Sequence, residues 1–64
     1  MPDGYPQGAT WRCGSSRVTY DPLWSAALPF KTYSGGAARG IFGSLHEAIR
    51  YCGEPLLEKW TYHP

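Results

Sequence analysis

The sequence predicts a small α+β domain, in which one helix near the C-terminus covers one face of an antiparallel sheet of three to four strands. Three observations predict this class. Apolar and polar residues alternate on both sides of Gly14, a second alternating region is interrupted at Gly35-Gly36, and residues 40–53 carry helix signals. Such alternation is typical of strands that bury one face. The 64 residues suffice for one domain.

The helix signals agree with one another from Ser44 to Gly53. Ser44 and Glu47 have the spacing of a capping box, in which the serine hydroxyl accepts the N3 amide and the glutamate reaches back. Gly53 can close the last turn in the left-handed conformation. The apolar positions between them form one stripe of a helix: Leu45, Ala48, Ile49 and Cys52.

The first predicted hairpin joins strands that begin at Thr10 and end at Tyr20. Pairing Cys13 with Val18, and therefore Trp11 with Tyr20, places these four apolar side chains on one face. A two-residue loop and a four-residue loop both allow this register. Ser15-Ser16 is a poor pair for a two-residue turn, which favours the longer loop.

The second predicted hairpin joins strands at residues 30–34 and 37–42 through a two-residue turn at Gly35-Gly36, which is the strongest turn signal in the chain. This turn pairs Phe30 with Ile41 and directs both toward the core. Gly40 weakens the return strand and indicates a bulge. The predicted core consists of Trp11, Val18, Tyr20, Phe30, Ile41, Phe42, Leu45, Ala48, Ile49 and Cys52.

The remaining segments are expected to be loops, a short helix and flexible ends. Residues 1–9 are rich in proline and glycine, which predicts a disordered arm. Residues 10–60 are predicted to form the single domain, and residues 61–64 a flexible tail. Asp21-Pro22 ends the second strand, and residues 23–29 are predicted to form a connection whose Leu23, Trp24 and Leu28 fill the core. Proline at position 55 suits the start of a short second helix.

The sequence contains little that indicates catalysis or metal binding. Cys13 and Cys52 stand alone, with no closely spaced cysteine or histidine pair to seed a zinc site. Cys52 lies in the apolar stripe, where a thiolate nucleophile is disfavoured. We therefore expect no enzyme activity, no metal and no cofactor, while a disulfide between Cys13 and Cys52 stays open.

The predicted strand register concentrates positive charge on the sheet face opposite the helix. The formal net charge is only +1, so the chain lacks the basic excess of a dedicated nucleic-acid or membrane binder. Basic and aromatic side chains nevertheless share this face or border it, and they are the candidate partner-binding residues: Arg12, Arg17, Lys31, Tyr33 and Arg39. Such a surface favours an acidic partner.

The motif G-x-F-x-S-L-x-E-A-I, which runs from Gly40 to Ile49, resembles the end of sheet-plus-helix DNA-binding domains, such as the arm-binding domains of recombinases. This resemblance implies a sheet face that enters the major groove. Nucleic-acid binding through the basic face is therefore the alternative function.

The leading prediction is a small protein-interaction module that binds another protein with an acidic surface, as an inhibitor or adaptor of the kind encoded by phages or mobile elements. We expect a cytoplasmic protein without membrane contact, because residues 1–9 contain no secretory signal and no apolar run is long enough to span a bilayer. The oligomeric state stays open.

Overall fold

A computed structural model describes residues 4–64. It contains five strands, one α-helix and one 3-10 turn. The strands are β1 (Thr10–Cys13), β2 (Ser16–Tyr20), β3 (Phe30–Ser34), β4 (Ala37–Phe42) and β5 (Thr61–His63), the helix is α1 (Leu45–Tyr51), and the 3-10 turn is Leu57–Lys59. One antiparallel sheet has the strand order β4-β3-β2-β1-β5. The predicted α+β class is confirmed.

The strand number and the position of the helix correct the prediction. The sheet has five strands rather than three to four, and α1 is followed by β5, which pairs with β1. This strand lies in the segment predicted to be a flexible tail. Tyr62 pairs with Trp11, and their ring centroids are 5.2 Å apart. Aromatic cross-strand pairs of this kind stabilise a short edge strand.

The first hairpin has a tighter turn than predicted. Trp11 pairs with Val18 and Cys13 with Ser16, so the loop is the two-residue turn Gly14-Ser15. Gly14 has φ 60°, which glycine supplies without steric cost at the first turn position. The register therefore differs from the predicted one by two residues. Because side chains alternate with a period of two, every residue keeps its predicted face.

The second hairpin turns at Gly35-Gly36 as predicted, but its register changes along the strands. A bulge interrupts β3–β4 pairing between Thr32 and Tyr33, and Arg39 is the residue of β4 left without a paired residue. Phe30 consequently pairs with Phe42 and Lys31 with Ile41. Ile41 therefore lies on the face away from the helix with 40% of its surface exposed, so its predicted place in the core is wrong.

Helix α1 begins at the predicted cap. Ser44 has extended backbone angles, and its hydroxyl accepts a hydrogen bond from Glu47 N–H at 3.2 Å. Leu45, Ala48 and Ile49 are buried against the sheet. The helix ends at Tyr51, followed by Gly53 with φ 95°. The predicted stripe is thus the contact between helix and sheet.

Two segments outside the predicted core complete it. Tyr5 packs against the aromatic cluster, and Ala9 is fully buried, so the segment is held against the sheet at both of these residues. Gly8 N–H donates to the Tyr20 carbonyl and Tyr20 N–H to the Ala9 carbonyl, both at 2.8 Å. The predicted arm therefore contacts the domain from Tyr5 onward, while its first three residues lie outside the described part.

A 3-10 turn occupies the place of the suggested second helix. It brings Trp60 into the core, where the indole Nε1–H donates to the Glu54 carbonyl at 2.9 Å. The core residues are Ala9, Trp11, Val18, Tyr20, Phe30, Leu45, Ala48, Ile49 and Trp60, with the half-buried Tyr5, Cys13, Phe42 and Cys52 packed against them.

Candidate binding surface

The sheet face opposite α1, called the outer face here, brings the predicted basic residues into register. Arg12 on β1 pairs directly with Arg17 on β2, and Arg17 pairs with Tyr33 on β3. In the next row, Lys31 lies between Thr19 and Ile41. Paired residues in neighbouring strands project to the same face. Two arginines and a tyrosine therefore form one continuous row.

Arg12 and Arg17 lie opposite each other without a carboxylate partner in the described residues. The Arg17 guanidinium lies 4.3 Å from the centre of the Tyr33 ring. Its Nε atom is buried and has no hydrogen-bond partner within residues 4–64. The ion pair found in this described part of the chain joins Lys31 to Asp21, so it leaves both arginines without a carboxylate. Like charges directly opposite each other destabilise a sheet.

Lys31 contributes less charge than the sequence suggested. Its Nζ lies 3.6 Å from an Asp21 carboxylate oxygen and 4.2 Å from the centre of the Trp24 ring. The Gln7 side-chain amide donates to Asp21 at 2.6 Å, and Trp24 N–H donates at 3.2 Å. The Gln7 hydrogen bond, helped by those from Trp24 and Lys31, lowers the pKa of Asp21. Asp21 is therefore ionised at neutral pH and partly neutralises Lys31.

Two clefts flank Tyr33 on the outer face. One, the apolar cleft, has a volume of about 340 Å³ and is lined on its apolar side by Trp24, Tyr33 and Ile41. The other, the guanidinium cleft, has a volume of about 330 Å³ and is lined by Arg12, Arg17, Tyr33 and the two hairpin turns. Because Tyr33 lines both, the apolar cleft and the guanidinium cleft adjoin at this residue.

Arg39 does not join the arginine row. It is the exposed bulge residue of edge strand β4, where it borders the apolar cleft. It also lines a separate depression beside Tyr51 and Cys52. Of the predicted partner-binding residues, the structure therefore groups Arg12, Arg17 and Tyr33 closely, and it places Lys31 and Arg39 around the apolar cleft.

Sequence reasoning missed two side chains of the apolar cleft. Trp24 was expected to fill the core, but 54% of its surface is exposed, and Leu23 and Leu28 are exposed as well. Ile41 reaches the outer face only through the bulge. The available signals in the sequence were Pro22, in the 21–29 loop, and Gly40, beside the bulge. Neither residue indicates which face of the sheet an apolar side chain takes.

The cysteine and histidine side chains are the candidate metal ligands and nucleophiles of the described part of the chain. No three His, Cys, Asp or Glu side chains in residues 4–64 are placed to bind a metal ion. Cys13 and Cys52 are free thiols. Burial, with a smaller contribution from Cys13, raises the pKa of the Cys52 thiol. A thiol of raised pKa supplies little thiolate at neutral pH.

None of the helices in residues 4–64 has the length and apolar character needed to cross a bilayer. Comparison with protein-family models, with curated proteins and with solved structures finds no match to this chain. The likeness of residues 40–49 to recombinase-type DNA-binding domains therefore depends on the sequence motif alone.

Proposed function

We propose that the chain is a non-enzymatic protein-interaction module that binds an acidic surface of another protein through its outer face. The observation that carries this proposal is the cross-strand pair Arg12 and Arg17, which has no carboxylate partner in residues 4–64. Carboxylates of a partner would form charge-assisted hydrogen bonds with these guanidiniums and reduce their mutual repulsion.

The aromatic residue in the row supports a protein partner. Tyr33 stacks under Arg17, and tyrosine and arginine are the residue types enriched among the energetically dominant contacts of protein interfaces. An inhibitor or adaptor from a phage or mobile element, acting in the cytoplasm, suits a domain of 64 residues that carries no catalytic motif.

The test is capture of the partner from cells of the native host with two matched charge-reversal variants. Arg12→Glu/Arg17→Glu alters the outer face, whereas Arg50→Glu/Lys59→Glu makes the same change in net charge at exposed positions on α1 and the 3-10 turn. We expect mass spectrometry to find a protein retained by the native chain and the control variant, and lost from the outer-face variant. Equal loss from both variants would refute a site on the outer face.

Nucleic-acid binding is the second candidate, favoured by the same arginine row, since guanidiniums bind phosphates and an aromatic ring can stack on a base. Nuclease treatment separates the two functions. A captured protein that resists nuclease supports direct protein binding, whereas a protein released by nuclease, together with recovered nucleic acid, supports the alternative.

A further inference from the structure

The apolar cleft is an exposed apolar site beside a cationic one. Trp24 and Ile41 project from different parts of the chain, the 21–29 loop and β4, yet both line this cleft. Lys31 and Arg39 border it, and the guanidinium cleft begins on the other side of Tyr33. An occupant that combines apolar contact with negative charge therefore matches both clefts.

The sheet geometry sets the distance between the apolar cleft and the arginine pair. Ile41 pairs with Lys31, and Arg17 pairs with Tyr33, so Ile41 and Arg17 are two strands apart laterally and two residues apart along the strands. With standard strand separation and rise, this corresponds to about 12 Å. An extended peptide covers that distance in roughly three to four residues.

We propose that the occupant is an extended acidic segment of the partner protein, which inserts a large apolar side chain between Trp24 and Ile41. Three or four residues away along that segment, in either chain direction, a carboxylate binds Arg17 and Arg12. The inference rests on the proposed function and specifies its ligand. Charge complementarity supports it, because cationic side chains border the apolar cleft and line the guanidinium cleft, whereas no carboxylate lines either one in the described residues.

The test is selection of random displayed peptides on the native chain, followed by binding measurements with synthetic copies. We expect selected peptides to share an aromatic or leucine residue three or four positions from aspartate or glutamate. Trp24→Ala should weaken their binding about tenfold or more. Leu23→Ala is the matched control, because Leu23 lies in the same loop, is 85% exposed and does not line the apolar cleft; it should leave binding unchanged. If Trp24→Ala does not fold, Ile41→Thr, which keeps a β-branched side chain, replaces it.

The outcomes separate this inference from the proposed function. Acidic peptides without an apolar anchor, bound equally by Trp24→Ala, would overturn the inference and leave the proposed function intact. Peptides without acidic residues, bound equally by Arg12→Glu/Arg17→Glu, would overturn both. Failure to select any peptide would overturn the extended-segment ligand. Concentration-dependent self-association in sedimentation, abolished by Trp24→Ala, would identify a second copy of the chain as the occupant instead and overturn the proposal.

Discussion

At the scale of single residues, Ile49 and Ile41 offer a direct comparison of buried and exposed positions. Ile49 is fully buried between α1 and the sheet, whereas Ile41 is 40% exposed. We expect Ile49→Ala to lower the free energy of unfolding by about 2–5 kcal/mol, because truncation leaves a cavity in the core. That loss would approach the whole stability of so small a domain.

Ile41→Ala is the control for this prediction, and it should cost about 1 kcal/mol or less, the range of strand propensity. Urea denaturation of both variants measures the difference. Equal destabilisation by the two substitutions would contradict the register change at the Arg39 bulge, because that bulge is what places Ile41 outside the core.

We expect Arg12 to lower the stability of the free domain while contributing to partner binding. It stands directly opposite Arg17, and like charges in paired positions are unfavourable. Arg12→Thr should therefore raise the free energy of unfolding by about 0.2–1 kcal/mol at low salt, with a smaller gain as salt screens the repulsion. Thermal melts at two salt concentrations measure this effect. Destabilisation at low salt would show that Arg12 is compensated.

For most strand residues, the sequence was enough to predict which face of the sheet the side chain occupies. Ile41 is a residue for which that prediction failed. Alternation assigned Trp11, Val18 and Phe30 to the core, and a register error of two residues changed none of these assignments. One extra residue in β4 was enough to move Ile41 to the opposite face. A bulge depends on how two strands twist against each other, which alternation along one strand does not encode.

At the scale of elements, the cap at Ser44 tests where α1 begins. The serine hydroxyl accepts the Glu47 amide at 3.2 Å. Ser44→Ala should cost about 0.5–2 kcal/mol, while Ser44→Asp should be tolerated because aspartate caps equally well. Chemical denaturation followed by circular dichroism measures both variants. If aspartate proved as harmful as alanine, Ser44 would not be the cap.

We expect strand β5 to stabilise the fold through the aromatic contacts of Tyr62. Its ring contacts those of Trp11 and Tyr5, with centroid distances of 5.2 and 6.2 Å. Tyr62→Thr removes both aromatic contacts while keeping strand propensity, so we expect a loss of about 1–3 kcal/mol. His63→Thr, at the next position of β5, is the control and should change stability little. Equal effects in denaturant would show that the ring contacts contribute nothing.

The two hairpins and α1 were predictable because their signals are local. Turn glycines and the cap at Ser44 act within a few residues, so a sequence pattern detects them. Strand β5 could not be predicted in this way, because its pairing with β1 depends on contacts between residues far apart in the chain, such as Tyr62 and Trp11. Three residues of strand are too few to show alternation.

At the scale of the whole molecule, the low net charge should limit nucleic-acid affinity. If Arg12, Arg17 and Lys31 each contacted one phosphate, the log–log salt slope on duplex DNA would be roughly −2.7. We expect no measurable duplex binding near physiological salt, since three contacts give only weak non-specific affinity. Gel shifts across a salt series measure this. A salt-sensitive shift at micromolar protein, lost when the three charges are reversed, would favour the nucleic-acid function.

The location of the candidate surface could be predicted from the sequence, but its internal organisation could not. Strand alternation placed Arg12, Arg17 and Tyr33 on one face, and pairing across the sheet aligned them. The ion pair of Lys31 with Asp21 and the position of Trp24 over Lys31 depend on the path of the 21–29 loop. That loop has no regular period from which its path could be inferred.

The central claim is that the outer face contacts the partner, and backbone amide chemical-shift mapping tests it most directly. The nitrogen-15-labelled chain would be titrated with the captured partner protein. We predict that the perturbed amides cluster at Arg12, Arg17, Tyr33 and Trp24, while those of α1 stay unchanged. Perturbations concentrated on α1 and the 3-10 turn, with the outer face unaffected, would contradict the account.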